Sequence, residues 1–142
     1  QLPMRIVVVQ VTPDAIGGPD LLNRLFAETN AELHRLEPQI PIFDKPMQQV
    51  EIRRDFLGSG YAQPTNDGRA AIELLKQTEG IKLDNTYTAK ATAALLSDAR
   101  AGRLDSKEVL FWNTYNSRPD PERISNGSWR DLPKAFYQYF NS

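Results

Sequence analysis

The chain reads as an α/β protein, a mostly parallel sheet flanked by helices in three layers. Three observations predict it. Residues 4–11 (MRIVVVQV) form a continuous β-branched run, the pattern of a strand covered on both faces, as in a parallel sheet. Runs of that kind alternate along the chain with amphipathic helical patterns, which argues for α/β architecture. The 142 residues suit one domain with a real core, and 40% apolar against 25% charged residues is globular composition.

The first strand leads into a loop at residues 12–18, after which Pro19 and Asp20 open a helix. Proline in the first turn gives up only an N–H that has no helical partner, and aspartate complements the positive helix end. Leu22, Leu25, Phe26, Leu33 and Leu36 keep helical spacing until Pro38 and Pro41 stop it. Residues 50–53 alternate apolar and polar side chains, which predicts a short strand. Gly58, Gly60 and Pro64 punctuate a loop. Ala70, Ala71, Leu74, Leu75 and Thr78 then give a second amphipathic helix, ended by Gly80. A third helix is expected from about Thr88, a suitable N-cap, to Ala101, with Ala91, Ala94 and Leu95 on one face. Residues 108–112 (EVLFW) read as a second buried strand. Proline, serine, asparagine and charge make 117–131 a surface loop, and residues 132–140 close the chain as a short aromatic helix.

The totals exclude several function classes. With 17 basic and 18 acidic residues, and no basic run, nothing favours nucleic acid or an anionic membrane. The absence of cysteine removes disulfides and thiolate metal sites, and is compatible with a cytoplasmic location. His34 is the only histidine, which disfavours a zinc site or a Ser-His-Asp triad; within its helical run it reads as a surface or boundary residue. The longest apolar run, residues 6–9, is far short of the ~20 residues that span a bilayer. The chain opens on Gln1 rather than methionine, directly before a strand, which suggests trimming or excision from a longer protein.

The candidate chemistry lies between Phe56 and Asn116. Helix N-termini and the carboxyl ends of strands are where open α/β sheets place their ligands. Tyr61, between Gly60 and Ala62, reads either as an aromatic lid over the core or as a phenol at a cleft edge. A phenol there could donate a hydrogen bond, stack on a planar ligand or move a proton. Tyr87 stands directly before the helix at Thr88, whose positive end should lower a phenol pKa, so it is the better proton-transfer candidate. Thr114, after the 108–112 strand, can close strand-end backbone groups or hydrogen-bond a heteroaromatic nitrogen. Lys90 reads as a solvated helical side chain, Glu79 as a local cap or ion-pair partner, and Asp84 as a turn residue. Gly17-Gly18 is too short for a phosphate loop, and Trp112 and Trp129 read as packing.

Taken together, three segments resemble the C-terminal part of the pyridoxal-phosphate-dependent 1-aminocyclopropane-1-carboxylate deaminase/D-cysteine desulfhydrase family, which is tryptophan synthase β-like and of fold type II. They are GYAQPT at residues 60–65, TEGIKLDNTYTAKA at 78–91 and VLFWNT at 109–114. The resemblance implies deamination or α,β-elimination of a small amino acid, with pyridoxal 5'-phosphate as cofactor. It implies that Tyr87 and Tyr61 are the catalytic, substrate-contacting tyrosines, and that Thr114 or Thr88 lies near the cofactor's pyridine nitrogen. A neutral hydroxyl at that nitrogen would tune the cofactor as an electron sink.

The sequence departs from the family pattern at Asn85-Thr86, at Ala89, and at Tyr115-Asn116, where the family has a glycine pair. In that family the Schiff-base lysine and phosphate loop lie upstream. The chain is therefore expected to be the C-terminal portion of a longer, homodimeric enzyme, with the N-terminal portion as its partner, and to be inactive alone. The alternatives are a non-catalytic ligand-binding or regulatory module that retained the fold, and, last, a stand-alone flavodoxin-like domain.

Overall fold

The computed structural model describes residues 4–116, 118, 121–122 and 127–140, and the fold is α/β. Strand β1 (Ile6–Val9) passes through a one-turn helix α1 (Asp14–Gly17) and a long helix α2 (Pro19–Leu36) to strand β2 (Val50–Arg53). The strands pair in parallel, Ile6 opposite Val50 and Val9 opposite Arg53. Parallel neighbours cannot be joined by a tight turn, so a helical crossover is what this pairing requires. An Arg5–Glu51 ion pair closes one end of the ladder, and the Gln10 N–H donates to the Arg53 carbonyl at the other, at 2.8 Å.

Helix α2 starts at Pro19 and stops at Leu36, two residues before Pro38. Its buried residue is Asn30, whose amide donates to the Pro41 carbonyl at 2.9 Å and accepts the Phe43 N–H at 2.8 Å. These two bonds fold the following segment back along the helix and set Phe43 edge-on to Phe26. His34 is half-buried, with Nδ1 2.6 Å from the Ile40 carbonyl, a boundary position.

Helix α3 (Asn66–Glu79) is capped by Thr65, whose hydroxyl accepts the Gly68 N–H, and it ends on Gly80 in the left-handed conformation, φ 67°. A side chain at that φ would crowd its own backbone, so glycine is the natural stop. Helix α4 (Thr88–Arg100) packs on α3 and touches β1. It supplies half of the buried residues among those described: Thr88, Ala89, Lys90, Thr92, Ala93, Ala94 and Asp98. Small residues let the two helices approach closely. A Cβ built on Gly68 would stand 3.5 Å from that of Ala89, and Ala71 and Ala89 are fully buried.

At the far end of α4 the Asp98 carboxylate takes Arg53 at 2.7 Å and Arg103 at 2.5 Å, and Arg53 also grips Asp55 at 2.6 Å. This cluster ties α4 to the end of β2. Burial alone would raise the Asp98 pKa, but the hydrogen bonds from Arg103 and Arg53 outweigh it and hold the carboxyl below the usual range.

Several expectations from the sequence are corrected. Residues 14–17 are helical, one turn that Pro13 can precede because it donates no N–H into it. Strand β1 is not covered on both faces: its adjacent residues Ile6 and Val7, which point to opposite faces, are 45% and 41% exposed, and the described sheet has only two strands. Residues 108–112 form no strand; Leu110 is 88% and Trp112 81% exposed. An extended segment becomes a strand only when a neighbour takes its N–H and C=O groups, and neither β1 nor β2 pairs with it. Trp112 is thus not a packing residue, whereas Trp129 stacks on Phe140 with centroids 5.4 Å apart. The expected C-terminal helix at 132–140 is a 3-10 segment, Lys134–Tyr139, and a further 3-10 turn, Trp129–Asp131, is held by a Ser128–Asp131 capping box. Of the expected loop at 117–131, residues 117, 119–120 and 123–126 lie outside the described ones, and its end, Trp129–Asp131, is a 3-10 turn.

Candidate functional site

Two chain turns, each preceding a helix of the α3–α4 pair, bring the candidate tyrosines together. The first lies between β2 and α3. Gly58 sits at φ +71°, where a Cβ would come within 2.5 Å of the Thr65 methyl, so the turn depends on a missing side chain. Ala62 adopts a left-handed φ of 59°, and the Gln63 N–H returns to the Gly60 carbonyl at 3.3 Å. Tyr61 emerges between these points, 48% exposed, as a surface phenol rather than a lid over the core.

The second turn precedes α4. The Asp84 carboxylate accepts the N–H groups of Thr86 (2.8 Å), Tyr87 (2.7 Å) and Thr88 (3.0 Å), and the Thr88 hydroxyl at 2.6 Å. The Asp84 N–H donates back to that hydroxyl at 2.9 Å. Asp84, not Thr88, therefore anchors the start of this helix: its carboxylate takes the Thr88 N–H of the first turn and the N–H groups of Tyr87 and Thr86 just before it. Burial would raise the Asp84 pKa; the hydrogen bonds from Thr88, Tyr87 and Thr86 overcome it and keep the group ionised. Thr88 is buried with its hydroxyl committed to the same carboxylate.

The phenols of Tyr61 and Tyr87 meet at 2.5 Å between oxygens, with rings edge-on at 6.1 Å. The hydrogen bond with Tyr61 pushes the Tyr87 pKa above the usual tyrosine value, with smaller contributions from desolvation and from the Asp84 charge. The expectation of a lowered pKa is thereby reversed. The positive helix end is already answered by Asp84, so Tyr87 stands near a carboxylate rather than an uncompensated dipole. Of two hydrogen-bonded phenols one donates to the other, which leaves one O–H to offer a ligand. With its pKa raised, Tyr87 is held in the hydrogen-bond-donating form.

Lys90 is the residue the sequence reading placed wrongly. It is fully buried rather than solvated, and its ammonium donates to the Leu57 carbonyl at 2.7 Å and the Gly60 carbonyl at 3.1 Å. Burial lowers its pKa. The only sequence signal was its position, one turn into a helix and on the same side as the buried Ala94, and helical spacing treats a lysine there as polar by default. Thr114 lies on the exposed run at 107–116, and no hydrogen bond joins it to the tyrosine pair. The Gly17-Gly18 pair holds no open cradle, since a Cβ on Gly17 would meet the Thr12 hydroxyl at 2.3 Å.

No family model matches the chain. A stretch of 61 residues is 44% identical to a protein named D-cysteine desulfhydrase from Klebsiella pneumoniae subsp. pneumoniae, covering 42% of this chain and 19% of that protein. A D-cysteine desulfhydrase from a second Klebsiella pneumoniae strain is 43% identical over 61 residues. The similarity to D-cysteine desulfhydrases is thus close but partial, and the chain spans about a fifth of the length of these relatives.

The described residues do not by themselves form a site for pyridoxal phosphate. Lys90, near the end of the 78–91 segment, is bound by two carbonyls and has no surface from which to reach an aldehyde. Thr88 is closed onto Asp84, and Thr114 stands on a segment that nothing fixes beside the tyrosines. What the chain provides is one wall, made of two joined phenols. Among the described residues no group of histidines and carboxylates is placed to hold a metal ion, and no helix is long and apolar enough to cross a membrane.

Proposed function

We propose that this chain is the tyrosine-bearing portion of a pyridoxal-phosphate-dependent enzyme of the D-cysteine desulfhydrase type, which deaminates a small amino acid by α,β-elimination. The carrying observation is the 2.5 Å contact between Tyr61 and Tyr87 on two turns that the sequence separates by 26 positions. The partial similarity to D-cysteine desulfhydrases supports the substrate class. The cofactor, its Schiff-base lysine and its phosphate site belong to the rest of such a protein, so the chain alone is inactive. The homodimer and the cytoplasmic location belong to this same reading.

In this reading the tyrosine pair positions the substrate. A neutral phenol with one free O–H hydrogen-bonds a substrate carboxylate or sulfur and can deliver a proton to a leaving group. Its raised pKa keeps Tyr87 protonated at the pH where that is needed. Replacing Tyr87 with phenylalanine in the full-length protein is expected to cut turnover of D-cysteine about 100-fold, in the range of a lost general acid, with the cofactor's visible absorbance retained. Unchanged turnover removes Tyr87 from the chemistry. A non-catalytic module is the second reading, favoured by the bulk of Tyr115, half-exposed where the resembling family has glycine. It predicts no cofactor absorbance even in the full-length protein.

A further inference from the structure

We infer that Lys90 is a positioning residue for the tyrosine pair: its buried ammonium holds the 57–60 turn against α4 and so sets Tyr61 within hydrogen-bonding reach of Tyr87. This deepens the reading above by naming what aligns the site. Tyr61 follows Gly60 directly, and the Gly60 carbonyl is one of the two acceptors that Lys90 holds, at 3.1 Å, with Leu57 at 2.7 Å. Lys90 lies three residues after Tyr87 on the same helix, so one side chain ties together the backbones on which both phenols ride.

No carboxylate pairs with this ammonium among the described contacts; two carbonyl oxygens satisfy it. An unpaired charge in the core is costly unless its donors are used. What the ammonium supplies here is a strong, two-pronged donor to the turn, which no apolar residue offers. The turn also has little else to hold it. Gly58 and Ala62 are in left-handed conformations, and the Gln63–Gly60 backbone bond is a long 3.3 Å. Burial lowers the Lys90 pKa, as expected of a cation kept in place by geometry rather than by a counter-charge.

The test follows the Tyr87 phenol itself, by NMR of ring-carbon-labelled tyrosine across an alkaline titration of the full chain, with Tyr61→Phe as the reference for a broken pair. Lys90→Met is expected to bring the Tyr87 titration down to that of Tyr61→Phe, because the turn drifts and the hydroxyls part. Lys90→Gln, which can donate to one carbonyl, falls between. Asp98→Asn loosens the other end of the same helix and leaves the Tyr87 titration where it is. A folded Lys90→Met with an unshifted Tyr87 overturns the proposal, as does an equal shift in Asp98→Asn. If Lys90→Met does not fold, Lys90→Gln decides alone, and an unshifted Tyr87 there overturns it. The titration needs no turnover, so an absent desulfhydrase activity would leave this result standing.

Discussion

The sequence marks the α3–α4 pair as helices with one apolar face and residues 108–112 as a buried strand, yet the structure treats the two oppositely. Helices α3 and α4 close their own backbone hydrogen bonds and need only one face covered. Each finds that face in the other, where glycine and alanine permit close approach. The segment at 107–116 cannot satisfy its backbone internally and has no strand beside it, so its leucine and tryptophan stay in solvent. The two-stranded sheet stands between these extremes, its strands paired with each other and the start of β1 exposed. A helical pair can be complete in itself; a strand is always half of something.

Three variants can break or sharpen that contrast. The largest effect is expected from Ala89→Leu, which forces a branched side chain into the closest approach of α3 and α4. It should cost about 3 kcal/mol in urea unfolding, at the upper end for overpacking. A loss under about 1 kcal/mol would mean that the helical pair is not the most tightly packed unit.

Next is Asp98→Asn, which leaves Arg53 and Arg103 facing an amide. Removing one partner of a buried pair costs ~3–5 kcal/mol, but Arg103 is half exposed and screened, so about 2 kcal/mol is expected. The pH dependence gives its sign. The folded Asp98 pKa is below the unfolded value of about 3.9, so its contribution is complete above that pH and is lost as the pH falls through the folded pKa. Asp98→Asn should therefore flatten the acid limb of the stability profile while leaving neutral and alkaline pH parallel to the parent.

The smallest effect is expected from Trp112→Ser, within about 0.5 kcal/mol, as for a surface position. A loss above 1 kcal/mol, read in the same unfolding experiment, would place Trp112 in a packed environment and dissolve the contrast.

Most of the local structure was legible. Pro19 and Gly80 punctuate their helices where start and stop chemistry says they should, and the 50–53 strand follows from its alternation, whereas the Thr65 cap emerges only in the structure. The motif order marked both Tyr61 and Tyr87, but neither their contact nor its effect on acidity could be read. A helix N-terminus predicts a lowered phenol pKa only while it is uncompensated, and Asp84 compensates it. Lys90 was hidden for a related reason: burial depends on what lies opposite, and the opposing carbonyls come from a turn 30 and 33 residues away.

The sequence by itself determined the alternation of strand and helix, the helix ends, and the two loop-to-helix turns that carry tyrosines. These are local matters, decided by propensity, capping and backbone freedom over a few residues. Tertiary structure alone decided that the phenols meet, that a lysine is buried beneath them, and that residues 108–112 remain unpaired. Each of those depends on a partner distant in the chain, and hydrogen bonds and burial exist only once that partner has arrived.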